Sequence, residues 1–153
     1  MRLIAVGDIA PDFLVKDQNS VDVSLHDFIG KKVLMSWHPL AWTPVCTDQM
    51  RSIENNYDTF LQLNTIPLGF SVDPQPCKAA WATALVIQKL RMPSDFWPHG
   101  QIAQKYGIFD ENKGVSERVN IIVDEKGKVC WIKGYPSGEL PNIQEVIQFL
   151  SNH

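Results

Sequence analysis

Two short apolar runs, VLMSW at 33–37 and IPLGFSV at 66–72, constrain this chain more than any other feature. Each is too short for a buried helix, and neither alternates as a half-exposed strand does, so each predicts a buried strand. Met50, Ile53, Tyr57, Phe60 and Leu61 recur between them at helical spacing. A second helix is expected over 78–90, with Trp81, Ala84, Leu85 and Gln88 along it, and a short third one over 102–106. Residues 13–15 and 21–23 flank the polar stretch 16–20 and predict an N-terminal hairpin. Residues 119–123 and 129–132 bracket the turn Asp124-Glu125-Lys126-Gly127, a second hairpin signal. The last helix is expected to start near Pro141, a suitable first helical residue, with Ile143, Val146, Ile147 and Leu150 on one face. Strands that alternate with helices favour an α/β fold, its sheet covered on both faces.

The 153 residues, 44% of them apolar, supply a core for one domain over 1–153. No internal repeat or low-complexity linker divides them. The net charge of -3 and the lack of a basic stripe exclude a phosphate-neutralising surface, so no nucleic-acid partner is expected. The apolar run 3–6 is too short for a signal-peptide core. No stretch approaches the roughly 20 apolar residues of a membrane helix. A cytoplasmic location, where thiols stay reduced, is the expectation. The three cysteines, Cys46, Cys77 and Cys130, are scattered and form no CxxC pair. A disulfide framework and a structural zinc site are therefore not expected. No two of His26, His38, His99 and His153 have metal spacing, and no metal or cofactor is predicted.

Cys46 has the most informative surroundings. The segment HPLAWTPVC at 38–46 joins the first buried run to the first helix. Thr43 suits an N-cap and Pro44 the first helical position, which puts Cys46 in the first turn, near N3. Unpaired backbone N–H groups and the positive end of the helix dipole meet there. Both favour a thiolate, and a helix N-terminus can bring a cysteine pKa from about 8.5 into the range ~3.5–7.5. Pro39 and Pro44 stiffen the approach and push His38 and Thr43 toward extended backbone. From the spacing alone, a reactive thiolate and an ordinary cysteine at a well-capped helix start remain equal readings.

Pro39-x-x-x-Thr43-x-x-Cys46 matches the P-x-x-x-T-x-x-C signature of the peroxiredoxins, and the chain resembles that family over nearly its whole length. HPLAWTPVCTDQM at 38–50 looks like the family's active-site loop and helix. APDF at 10–13, SDFWPHG at 94–100, YGIF at 106–109 and Arg118 before VNIIVD also fit. The pattern is most similar to the alkyl hydroperoxide reductase E type, a one-cysteine subgroup. The resemblance implies a thioredoxin-like fold with an N-terminal β-hairpin extension, and a thiol-dependent peroxidase. It implies Cys46 as the peroxidatic cysteine, oxidised by a hydroperoxide to a sulfenic acid. Thr43 is implied to orient thiolate and peroxide, Pro39 to shield the site from water, and Arg118 to favour the thiolate and steady the peroxide oxygens. Without the resemblance, Arg118 reads as a surface charge. One departure stands out: Gln49 occupies a position where the family often has glutamate, so the arginine network is expected to differ. Asp48, one position earlier, faces another side of the helix.

Recycling of the sulfenic acid is read as a one-cysteine cycle with an external thiol or redoxin as reductant. Arg51 stands where a cysteine five residues after Cys46 would be, and no long tail follows to carry a resolving cysteine as in typical two-cysteine enzymes. Cys77 in DPQPC at 73–77 is the alternative resolving thiol, opposed by the reading of a lone helix-start cysteine. Cys130 is expected in the core or on the sheet. His38 could pair with Cys46 as in a cysteine protease, but no orienting partner motif accompanies it, so it is expected to line the loop. His99 is read as structural, and His26 and His153 as surface residues. Trp42 and Trp97 read equally as pocket or dimer contacts and as core aromatics. A CxxC-type disulfide exchanger is disfavoured by Gln49. A peroxide sensor or redox-switched binding protein is the competing function, distinguished by a lack of turnover. The family resemblance also implies a homodimer.

Overall fold

The computed structural model describes residues 2–153. Its centre is β3 (Lys32–Trp37), in which every residue is buried. β3 pairs in parallel with β4 (Thr65–Phe70) and antiparallel with β7 (Arg118–Val123). β7 in turn pairs with β8 (Val129–Tyr135), giving a four-stranded sheet in the order β4-β3-β7-β8. This is the expected α/β, thioredoxin-like arrangement. The expected N-terminal hairpin is present as β1 (Leu14–Lys16) and β2 (Asp22–Ser24), paired Val15 to Val23. Asp17 closes it by accepting the Asn19 and Val21 amides. Ser24 then caps a short 3-10 helix, Leu25–Phe28.

Alternating side chains of the sheet separate two apolar layers. Val33, Met35 and Trp37 of β3, with Val119, Ile121 and Val123 of β7, pack on Phe13, Phe70, Ile102 and Tyr106. Leu34 and Ile122 point the other way, into Met50, Ile53, Phe60, Trp81, Val146 and Leu150. The helices of this second layer are α1 (Pro44–Asn55), α2 (Tyr57–Gln62), α3 (Gln75–Leu85) and α5 (Ile143–Ser151). The small α4 (Gln101–Lys105) lies against the first.

Several boundaries differ from the sequence pattern, each for a local reason. The helix expected to run from residue 44 through Leu61 breaks at Asn56, whose backbone leaves helical geometry at φ -106°, ψ 13°. Its side-chain amide donates to the Ser52 carbonyl and closes the end of α1. The second helix starts at Gln75 rather than 78 and stops at Leu85 rather than 90. Val86 turns left-handed at φ 57°, and the Glu54 carboxylate then accepts the amides of Gln88, Lys89 and Leu90. That tertiary contact offers residues 88–90 an alternative to helical bonding. Strand β4 ends at Phe70, two residues early, and β8 runs on to Tyr135, three residues beyond the expected end. Pro141 does not open the last helix: Asn142 caps it, accepting the Gln144 amide at 3.0 Å, and Ile143 is the first helical residue. A small hairpin, β5 (Phe109–Asp110) with β6 (Val115–Ser116), carries no periodic signal and was not expected.

Gly107 shows how tightly the N-terminal segment is docked. It sits at φ +71°, and a Cβ there would overlap the Arg2 carbonyl and lie 2.7 Å from the Leu3 Cα. The Ile4 amide bonds the neighbouring Tyr106 carbonyl at 3.1 Å. Gly107→Ala therefore meets both left-handed strain and a backbone clash, and is expected to cost about 2–4 kcal/mol. Urea unfolding checks this; an unchanged midpoint would show that the segment 2–4 is free to move away.

Candidate active site

Cys46 is at the third residue of α1 and has no exposed surface. The element that puts it there is the turn out of β3. Thr43 is the N-cap in extended geometry, and Pro44 follows at N1. The Thr43 hydroxyl does not cap the helix; it donates to the Leu40 carbonyl at 2.8 Å and ties the loop to itself. The first-turn amides thus keep their positive field for the sulfur.

Arg118 completes the site from the first position of β7, inside the strand rather than before it. It is 4% exposed, which removes the surface-charge reading. One guanidinium nitrogen, Nη1, lies 3.4 Å from Cys46 Sγ and donates to Gln49 Oε1 at 2.6 Å. The other, Nη2, donates to the Ser137 carbonyl at 2.8 Å. The planar fork is thereby fixed at both prongs. A fixed guanidinium and a helix N-terminus face the same sulfur.

Gln49 is the hub beneath. Its amide nitrogen donates to Ser36 Oγ at 2.8 Å and to the Trp37 carbonyl at 3.2 Å. Ser36 Oγ donates onward to Asn120 Oδ1 at 2.7 Å. All four side chains, Arg118, Gln49, Ser36 and Asn120, are buried. The β3–β7 register makes this possible, because Ser36 pairs with Asn120 and Arg118 lies two residues before Asn120 on the same face. Gln49 was legible as a departure from the family pattern. Ser36 belongs to no motif, and its one signal is to be a serine inside an apolar strand, which needs a buried polar partner. Asp48 is exposed and takes no part among the described residues.

A pocket of about 200 Å³ opens over the sulfur, lined by Pro39, Leu40, Thr43, Val45, Arg118 and Ser137 among others. The sequence-singled residues Pro39, Thr43, Cys46 and Arg118 all border it. A larger cleft of about 450 Å³ adjoins it and shares Pro39, Arg118 and Ser137.

Other candidates fall outside the pocket. His38 does not line the loop surface but is fully buried beneath it, its ring 5.2 Å from that of Trp81. Burial, with Lys78 and Arg118 nearby, pushes its pKa well below the usual value, so the imidazole is neutral. Trp42 and Trp97 are 55% and 80% exposed, which overturns their reading as core aromatics. Cys77 is half-buried at the third residue of α3. Burial and Asp73 push its thiol up, against a pull from the Trp42 indole. Cys130 is half-buried in β8 and pushed up to about 11 by burial. His99 is structural as expected, its Nε2 2.7 Å from the Gly114 carbonyl. His26 and His153 are exposed. Lys78 carries no signal in the sequence pattern. It is fully buried on α3, one face with Trp81 and Ala82, and burial lowers its pKa to about 7 against the pull of Asp73.

Comparison with known proteins gives a consistent result. Residues 6–132 match the AhpC/TSA family. The chain is 34% identical over 139 residues to alkyl hydroperoxide reductase E of Mycobacterium tuberculosis, covering 90% of each protein. Among solved structures it resembles Enterococcus faecalis AhpC, with a TM-score of 0.90, 25% identity and coverage of 99% of this chain and 92% of that one. The reduced 2-Cys peroxiredoxin of Plasmodium vivax gives a TM-score of 0.87 at 26% identity, covering 95% and 80%.

The hydrogen-bond pattern predicts what a carboxylate would do at position 49. In Gln49→Glu an oxygen would replace the amide nitrogen that faces Ser36 Oγ and the Trp37 carbonyl. The serine proton already goes to Asn120, so the new oxygen meets acceptors only. The substitution is expected to destabilise by about 1–3 kcal/mol despite the new charge beside Arg118. A raised urea midpoint would show that the ion pair outweighs the lost donors.

Proposed function

This chain belongs to the AhpC/TSA family, the peroxiredoxins, and we propose that Cys46 is the thiol with which it reduces peroxides. It is of the alkyl hydroperoxide reductase E-like type, a thiol-dependent peroxidase and thus an oxidoreductase. No helix among the described residues is long and apolar enough to cross a membrane.

The observation that carries the assignment is the Arg118 Nη1 contact with Cys46 Sγ at 3.4 Å, at the first turn of α1. The thiolate attacks the terminal oxygen of ROOH. An S–O bond forms as the O–O bond breaks, the sulfur is oxidised to a sulfenic acid, and RO⁻ leaves to be protonated as water or an alcohol. Arg118, held by Gln49 and Ser137, donates toward oxygen as charge moves along the O–O bond. Thr43 orients sulfur and peroxide at the pocket wall, and Pro39 limits water. Hydrogen peroxide and organic hydroperoxides both fit this chemistry.

Recycling proceeds by a one-cysteine cycle. An external thiol or redoxin attacks the sulfenic sulfur and releases water, and a second thiol then frees Cys46. Support comes from Cys77 and Cys130, both pushed away from the thiolate form. Resolution by Cys77 is the second reading, favoured by the Trp42 indole beside it, since Trp42 belongs to the loop that carries Pro39 and Thr43. Leu40 and Trp42 present exposed apolar surface on that loop, which supports a homodimer joined beside the site. One domain over 1–153 and a cytoplasmic location, where thiol reductants abound, complete the reading.

Intact mass after one equivalent of hydrogen peroxide, with no thiol added, tests the cycle. A gain of about 16 Da at Cys46 is expected; a loss of about 2 Da would mean a disulfide and would replace the one-cysteine reading by resolution through Cys77. A single oxidation without turnover by any thiol donor would favour the sensor. Arg118→Lys keeps the charge but loses the fork held by Gln49 and Ser137. The second-order rate with peroxide is expected to fall by about ten- to a thousandfold. An unchanged rate would mean that another group steadies the peroxide.

A further inference from the structure

A second buried polar cluster lies under the active-site loop, and the chemistry above makes no use of it. Lys78 of α3 has no exposed surface. Its Nζ donates to the Gly69 carbonyl at 3.0 Å and to Ser71 Oγ at 2.8 Å. Ser71 Oγ donates to Asp73 Oδ2 at 2.7 Å. That same carboxylate oxygen accepts the backbone amide of Ala41 at 2.8 Å. A continuous line of hydrogen bonds therefore runs from α3, past the end of β4, to the loop between β3 and α1.

The loop it reaches is under backbone strain. Trp42, next to Ala41, sits at φ 71°, in the left-handed region that a bulky residue adopts only when its surroundings impose it. Two bonds flank it: Ala41 N–H to Asp73, and the Thr43 hydroxyl to the Leu40 carbonyl. The first ties the middle of the loop to the body of the protein, between His38, whose amide donates to the Phe70 carbonyl at 3.0 Å, and the Trp42 indole beside Cys77. Asp73 is itself buried, so its carboxylate needs a compensating cation, and Lys78 supplies one through Ser71. Asp95, Cys77 and Cys46 also face Lys78 closely enough to pull on its proton, and His38 lies on its other side.

We propose that Lys78 is a positioning residue for Cys46: by anchoring Ser71 and Asp73 it holds the Ala41 amide, and with it the strained loop 38–43, so that Pro39 and Thr43 stay closed over a buried sulfur. The proposal rests on Cys46 as the reactive thiol. It gives a reason for a lysine to be kept in an apolar layer, where a neutral side chain of similar volume would pack at less cost. Lys78 touches neither sulfur nor substrate; it acts through the loop.

Lys78→Met removes the charge at similar volume, and Ser71→Ala cuts the line with a smaller perturbation. Each variant is first checked for the wild-type near-ultraviolet circular dichroism. Two rates are then compared with the wild type. One is oxidation of Cys46 by hydrogen peroxide; the other is alkylation of Cys46 by a bulky maleimide, with the label located by peptide mass. Release of the loop is expected to slow oxidation by about ten- to a hundredfold, because the reacting atoms lose their alignment. It is expected to speed alkylation severalfold, because the sulfur becomes accessible. Opposite changes in the two rates are the signature of positioning. Both rates falling together would mean that Lys78 acts on the sulfur by charge alone, and would overturn the proposal. Unchanged alkylation in folded Ser71→Ala would overturn it too, and this variant decides the matter if Lys78→Met does not fold. If the wild type resists peroxide while alkylation still speeds up in the variants, the peroxidase assignment of Cys46 fails and the loop clamp stands.

Discussion

The antiparallel pairing of β3 with β7 is the constraint on which the rest of this structure depends. It sets Ser36 opposite Asn120 and brings Arg118, distant in sequence, onto the face of the sheet that α1 covers. A slip of one residue would turn Arg118 and Asn120 into the apolar layer around Phe70 and Tyr106. The register is secured by two full rows of buried side chains, one on each face. Packing of the apolar rows thus decides where the polar groups can meet.

Polar groups inside an apolar layer are tolerable only when each finds a partner. The line Arg118–Gln49–Ser36–Asn120 largely meets that condition and carries one net charge into the interior. The line Lys78–Ser71–Asp73–Ala41 meets it by setting a lysine and a carboxylate on either side of Ser71, with the Ala41 amide at the far end. Both approach the segment 38–46 from beneath, one at the sulfur and one at the loop. Such networks contribute less to stability than apolar packing of the same volume would. Their contribution is geometric: they leave the loop and the guanidinium few alternative positions, which is what an in-line attack on a peroxide requires.

Much of this could be read in the residues. The buried runs, the two hairpins and the helix start at Thr43-Pro44 are local patterns and appear in the fold, although the Thr43 hydroxyl bonds the Leu40 carbonyl instead of capping the helix. Pro39, Thr43 and Cys46 followed from the family signature and Arg118 from the wider family resemblance, and they border one pocket. What failed to show was tertiary. The continuous helical period through Leu61 hid the break at Asn56, and the apparent helix over 78–90 ended early because Glu54 caps amides more than thirty residues away in sequence. His38 looked like a loop residue and is buried, since the strand ahead of it continues into the core. Lys78 gave no signal by residue type, because lysine is among the residues least often buried.

Local pattern was enough for the α/β class, the order of the main elements and the placement of a cysteine at a helix N-terminus. These rest on periodicity and capping, which act between residues close along the chain. Only the tertiary structure decided that Arg118 reaches the sulfur, that Gln49 bridges it to Ser36, and that a buried lysine and aspartate tie down the loop. Those contacts join residues far apart in sequence, and each exists because strand register and helix packing leave two polar atoms within bonding distance in a space that excludes water.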